Sequence, residues 1–177
     1  MKKNMFVIPF KGLKEGKHQF EFIINKEFFD VYQYDDIYDA DLKVHLNFNK
    51  KSTLFELEFL VEGEVQVACD LTNELFQQPI SSNLELVIKF GDTYNDENID
   101  ILILPHGEYE VDVSKFVYEM IVLALPVKRI HPGVIDGTLK SEILDKLEEL
   151  QPKKINKNKG SDPRWDKLKG LITDKDR

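Results

Sequence analysis

From Asp41 onward apolar and polar side chains alternate strictly: Leu42, Val44, Leu46 and Phe48 take one set of positions, and Lys43, His45 and Asn47 take the other. A period of two puts the first set on a buried face and the second in water, so the stretch predicts a half-buried strand. The same period runs through Phe20, Phe22 and Ile24 against Gln19 and Glu21, through Phe55, Leu57, Phe59 and Val61 against Glu56 and Glu58, and through Leu84, Leu86, Ile88 and Phe90. Glu62-Gly63 predicts a hairpin reversal, after which Val65, Val67 and Cys69 resume the apolar face. Phe6 to Phe10 predicts a short strand closed by a turn at Gly12 and Gly16. Ile99 to Leu104 is apolar on both faces, as in a strand with neighbours or cover on each side.

Helical signals are fewer. Lys26 to Tyr34 predicts a short helix around Phe28 and Phe29. Val111 to His131 is the most apolar long run and predicts a strand end, a helix and a stop, with Ser114 capping the helix and Pro126 ending it. Apolar residues on nearly every side between Phe116 and Leu125 predict burial on several faces. Farther on, Leu139, Ile143, Leu147 and Leu150 make one stripe on a helix from Thr138 to Leu150, which Pro152 closes. Lys153 to Gly160 has no apolar periodicity and predicts a basic linker. Asp162 as cap, Pro163 in the first turn, and Trp165, Leu168, Leu171 and Ile172 on one side predict a last short helix.

These elements predict a β-rich core domain over 1–133 that includes helix 114–125, an amphipathic helix over 134–152, and a basic linker with a short C-terminal helix over 153–177. The fold class is α+β: an antiparallel, curved or two-layered sheet of about six to nine strands packed on a central buried helix, with a helical C-terminal extension.

Composition narrows the class. Hydrophobic residues are 42% and aromatics 11% of 177 residues, which excludes a wholly disordered chain. No apolar run approaches the length of a spanning helix, the apolar stretch before Pro9 is too short for a secretory leader, and the single cysteine cannot support a disulfide framework. A cytoplasmic location with no membrane contact is therefore expected. Net charge is −8 but unevenly placed: residues 151–177 hold nine Lys and Arg against four Asp, and the preceding residues hold fifteen basic against twenty-eight acidic side chains. An acidic body repels phosphate, whereas the tail can add salt-sensitive contacts.

Candidate chemistry is thin. His18, His45, His106 and His131 show no ligand spacing, so no metal site is expected. Cys69 falls on the core side of its strand, as a packed thiol rather than a nucleophile. Glu119 is the acid inside the apolar helix. Enclosed in apolar surroundings it would be a candidate functional acid, whereas beside Lys115 on an exposed strip it would be an ordinary surface charge. No P-loop, dinucleotide fingerprint or nucleophile elbow is present, so no catalytic residue, cofactor or small-molecule substrate is expected. Asp162, Pro163, Arg164 and Trp165 place bulky and charged groups in a polar tail. Together with Lys153, Lys154, Lys157, Lys159 and Leu168 they are the candidate partner- or RNA-binding residues, the alternative being that Trp165 fills a groove on its own domain.

The order of several motifs resembles the YceD family, the large ribosomal RNA subunit accumulation proteins. The matching residues are Phe10-Lys11-Gly12-Leu13-Lys14 with Gly16, Phe28-Phe29, Gly63-x-Val65-x-Val67-x-Cys69-Asp70, Phe90-Gly91, Asp112-x-Ser114 through Tyr118-Glu119 to Leu125-Pro126, and Asp162-Pro163-Arg164-Trp165 with Leu168 and Leu171. The resemblance implies a non-enzymatic role in accumulating large-subunit (23S) ribosomal RNA, through a ribosomal protein, precursor RNA or both. Many relatives carry Cys-x-x-Cys near Cys69 and further cysteines after the Leu-Pro. Here the first motif reads Cys69-Asp70-Leu71-Thr72 and the later cysteines are missing, so no metal or redox role is carried over. Two alternatives stand beside this expectation: an enzyme using a buried carboxylate on a small ligand, and a protein–protein adaptor without RNA contact.

Overall fold

A computed structural model of the chain describes residues 5–150, and the chain divides into two units, Met1–Lys140 and Ser141–Arg177. In the first unit the alternating stretches become one sheet. Strands β3 (Ile37–Lys50) and β4 (Leu54–Ala68) pair antiparallel, with Leu46 opposite Phe59 and Phe48 opposite Leu57. Strand β2 (Gly16–Ile24) adds to β3, and β5 (Leu75–Gly91) adds to β4. The chain then steps outward to β6 (Asn95–Asn98) and returns as β7 (Ile101–Pro105) between β6 and β5, which makes β5 and β7 the parallel pair. The order is β2-β3-β4-β5-β7-β6, an open sheet that is antiparallel apart from that pair. Two short strands, β1 (Val7–Ile8) and β8 (Val111–Asp112), form a separate ladder.

One face of the large sheet carries the core. Val44, Leu46, Phe48, Phe59, Val61 and Ile88 are fully buried there. Helices α1 (Lys26–Val31) and α2 (Ser114–Ala124) lie against β3 and β5 respectively. The N-terminal segment is fastened by aromatic contacts. Phe6 meets Phe22 and Phe28, and Phe10 meets Phe55 and Phe90, with ring centroids 4.9–5.8 Å apart. Lys50 Nζ donates to the Phe10 and Leu13 carbonyls at 2.9 and 2.8 Å, which holds the 3-10 turn at Phe10–Gly12 that replaces the end of the predicted first strand.

The predicted hairpin at Glu62-Gly63 does not occur, and β4 runs straight through both residues. Gly63 has φ +142°, and a Cβ on it would lie 2.2 Å from the Asp41 carbonyl oxygen and 2.9 Å from Leu42 Cα. This glycine is needed for close approach of two strands and not for a reversal. The odd-numbered phase from Phe55 to Cys69 never breaks, which is the mark of one continuous strand. The chain reverses instead at 51–53 and between Cys69 and Glu74, where Cys69 N–H donates to the Glu74 carbonyl and Asn73 N–H to the Cys69 carbonyl, both at 2.8 Å. Strand β5 begins nine residues before the predicted row at Leu84, at Leu75. Phe76 and Ile80 are buried in this added stretch, but Pro79 and the Ser81-Ser82-Asn83 run obscure its period. From Leu75 to Leu86 it is paired, among the described residues, with β4 alone, the one-sided setting in which a strand tolerates proline.

Helix α2 also differs from expectation. Phe116, Val117, Met120 and Ile121 are buried, but Leu123 is 84% exposed, so the helix buries one side against the sheet and is not enclosed on several faces. Its first turn is closed by Asp112, whose carboxylate accepts the Ser114 N–H at 2.9 Å, and the Ser114 side chain does not act as the cap. Pro126 follows its end, as predicted. A short helix α3 (Pro132–Ile135) that the sequence did not suggest is capped by His131, whose Nδ1 accepts the Gly133 N–H at 2.9 Å. The Asp136 carboxylate then accepts the Thr138 N–H at 3.0 Å and hydroxyl at 2.7 Å, which makes a turn where the amphipathic helix was expected to begin. In the second unit that helix is α4 (Glu142–Leu150), with Ile143, Leu147 and Leu150 at the expected spacing.

Candidate functional site

The tail candidates Lys153, Lys154, Lys157, Lys159, Asp162, Pro163, Arg164, Trp165 and Leu168 lie outside the described residues. Glu119 is described. Its side chain is 49% exposed and its carboxylate lies 4.0 Å from Lys115 Nζ, so the fold gives it a surface strip and not an apolar enclosure. Thr72 is the one polar side chain buried among the described residues, and the fold builds no buried carboxylate there.

Three surfaces bring polar or aromatic groups together. The first is the outer face of the large sheet, made by the polar half of each alternation. Glu21, Asp41, Glu56, Glu58, Glu62, Glu64 and Glu85 stand on it against Lys17, Lys43 and Lys89. Two pairs in register carry like charges, Glu58 opposite Glu85 and Asp41 opposite Glu64, whereas Lys43 is opposite Glu62. Amides hold part of the array: Gln19 Nε2 donates to Asn47 Oδ1 at 3.1 Å, Asn47 Nδ2 to Glu58 Oε2 at 3.3 Å, and Asn49 Nδ2 to Glu56 Oε2 at 3.0 Å. A hollow of about 900 Å³ opens over this row between Lys17 and Val87. Hydrogen bonds from Lys51 and Asn49 hold the Glu56 carboxyl below its ordinary value.

The second is the corner where the β4–β5 loop meets the segment after α2. Cys69 Sγ accepts the His131 N–H at 3.3 Å, and the Phe76 and His131 rings lie 5.5 Å apart. Asp70 N–H donates to the Arg129 carbonyl and Asp70 Oδ2 accepts the Arg129 N–H, both at 2.8 Å. Burial opposes ionisation of the Cys69 thiol, but the His131 N–H, the Thr72 hydroxyl and the Leu71 and Thr72 N–H groups outweigh it and hold the thiol below its ordinary value. The chain thus brings His131 to Cys69 and Thr72, which lie about sixty residues earlier in the sequence. Among the described residues no three His, Cys, Asp or Glu side chains converge as a ligand set.

The third is aromatic and lies on the outer side of α2. Gln33, in left-handed backbone at φ +55°, turns the chain at the end of α1 so that Tyr32 and Tyr34 both reach Tyr118. Tyr32 stacks on Tyr118 with centroids 4.1 Å apart and planes 10° from parallel, and Tyr34 meets it edge-on at 6.0 Å and 81°. Burial raises the Tyr32 hydroxyl above its ordinary value, and the Asp112 and Glu119 charges add to this against a hydrogen bond from Ser114. Burial likewise raises Tyr34, with Asp36 reinforcing and Arg129 opposing. At the rim Lys115 bridges Asp96 and Glu119, and Arg129 bridges Asp36 and Asp70. Helical spacing alone puts Lys115, Tyr118, Glu119 and Val122 on one strip. It does not reveal Tyr32 and Tyr34, because the left-handed residue that delivers them is a glutamine and not a glycine.

The family described as Large ribosomal RNA subunit accumulation protein YceD matches residues 57–172, from within β4 past α4. Neither the curated proteins nor the solved structures contain a match to the chain.

Proposed function

The chain belongs to the YceD family of large ribosomal RNA subunit accumulation proteins, and from that membership we propose that it acts without catalysis, in the cytoplasm, by holding a basic ribosomal protein while 23S RNA accumulates. Precursor RNA is then reached through the client or through the tail residues Lys153 to Leu168. The observation that carries this proposal is the outer face of the sheet, where seven carboxylates stand against Lys17, Lys43, Lys89 and the Lys51 that pairs with Glu56. Such a face repels an RNA backbone and attracts the Lys- and Arg-rich chains that ribosomal proteins present to RNA. Direct RNA binding by the body is disfavoured on the same ground.

The test is retention of total large-subunit ribosomal protein on the immobilised full chain. Glu62→Lys with Glu64→Lys reverses charge at two exposed positions that make no core contact. Retention is expected to fall about tenfold at low salt. Retention equal to the unaltered chain removes the sheet face as the binding surface, and retention of no ribosomal protein by the unaltered chain removes the client.

A further inference from the structure

We propose that the tyrosine cluster on the outer side of α2 is a second docking surface, built to take arginine side chains from a basic segment of a protein partner. This inference rests on the basic-client function above and specifies how one part of that client is held. Tyr32, Tyr34 and Tyr118 are each half-buried, so their rings are fixed on one side by Phe28 and the helix while part of each stays open to solvent. Rigid aromatic groups lose little entropy on binding, and tyrosine is among the residues that dominate interface energy. The stacked pair covers one face of each ring, and the parts of the three tyrosines left open to solvent are where a planar guanidinium would pack, with attraction from the ring quadrupole.

Charge decides the sign of the partner. Asp36, Asp70, Asp96, Asp112 and Glu119 border the cluster against Lys115 and Arg129, and each of the two cations already faces two carboxylates. Five carboxylates against two spoken-for cations leave a negative rim, which suits an incoming arginine and repels the phosphates of a nucleotide stacked on the same rings. A protein segment is therefore favoured over RNA. Val31, next to Tyr32 in the chain, is 66% accessible and gives the aliphatic stem of an arginine an apolar contact.

The experiment is fluorescence anisotropy of the full chain with a labelled Arg-Gly repeat peptide, and in parallel with a labelled oligouridine. Tyr118→Ala is expected to weaken peptide binding about tenfold, and Tyr118→Phe to leave it within about threefold because the ring face survives. Glu119→Lys, at an exposed site where misfolding is not at issue, is expected to weaken it to a similar extent. The inference is overturned if the unaltered chain does not bind the peptide, if Tyr118→Ala and Glu119→Lys both bind it as the unaltered chain does, or if oligouridine binds and is the probe lost on Tyr118→Ala. Sheet-face reversal at Glu62 and Glu64 separates the two proposals. If that variant loses ribosomal protein while the tyrosine variants lose nothing, the cluster falls and the client stands. If the tyrosines govern the peptide but no large-subunit protein is retained, the client falls.

Discussion

Gly63 lies where the backbone of β3 passes close to β4, and a single methyl there meets the Asp41 carbonyl and Leu42 Cα, which cannot rotate away. With φ at +142° an alanine would also be held in conformational space that side chains avoid, so two penalties coincide. Gly63→Ala is expected to destabilise the fold by about 2 kcal/mol or more, read as a lower urea midpoint with an unchanged slope. A hairpin at this glycine would have a different outcome, because a turn can absorb alanine by changing type. What the residues disclose on their own is uneven. The core side of β2, β3, β4 and the second half of β5 follows from alternation, and Cys69 falls on the core side as expected. The cap of α2 does not follow, since Asp112 and Ser114 are both good capping types and the choice depends on which carboxylate or hydroxyl the entering strand β8 aims at the helix. Tyr32 and Tyr34 are invisible for a similar reason: their meeting with Tyr118 depends on one backbone angle at Gln33.

Among the elements, α2 is tied at its first turn to the far edge of the sheet by Lys115 and Asp96, with the Tyr94 hydroxyl donating to the same carboxylate at 3.3 Å. The hydrogen bond from Lys115 holds the Asp96 carboxyl below its usual value, and Asp96 in turn raises Lys115. A carboxyl whose folded value is depressed adds stability above its unfolded value and loses it as pH falls through the folded one. The lysine adds stability below its ordinary value and loses it only in strong base, so both contributions are complete at neutral pH. Asp96→Asn is therefore expected to be less stable than the unaltered protein near pH 7, with the gap closing as pH falls below the ordinary aspartate range. Urea midpoints at several pH values check this, and a gap that stays constant into acid would refute it. The pair is solvent-exposed, so the effect is small. At this scale the long strands were legible but not their full extent: β5 hides its first half behind Pro79 and three polar residues, the polar β6 (Asn95–Asn98) carries no apolar alternation, and α3 is too short to show a period.

For the whole molecule the decisive property is separation of charge, with an acidic unit followed by a basic stretch over 151–177. That asymmetry is readable from composition, and so is the α+β class. The open sheet with β7 returning parallel between β5 and β6 is not, because nothing in a local period says which strand lies beside which. If the tail adds phosphate contacts as proposed, deleting residues 153–177 reduces co-sedimentation with large-subunit precursors, and the salt dependence of what remains becomes shallower. Unchanged association after the deletion would remove the role given to Lys153 to Leu168. One consequence of the proline in β5 concerns the protein's behaviour toward its own copies. A long strand paired on one side is a template on which identical strands can add without limit, and a residue with no N–H to offer interrupts that template near its middle. If the protein holds basic client chains as proposed, it must not seed a polymer itself, and Pro79, backed by mutual repulsion between acidic copies, works against that.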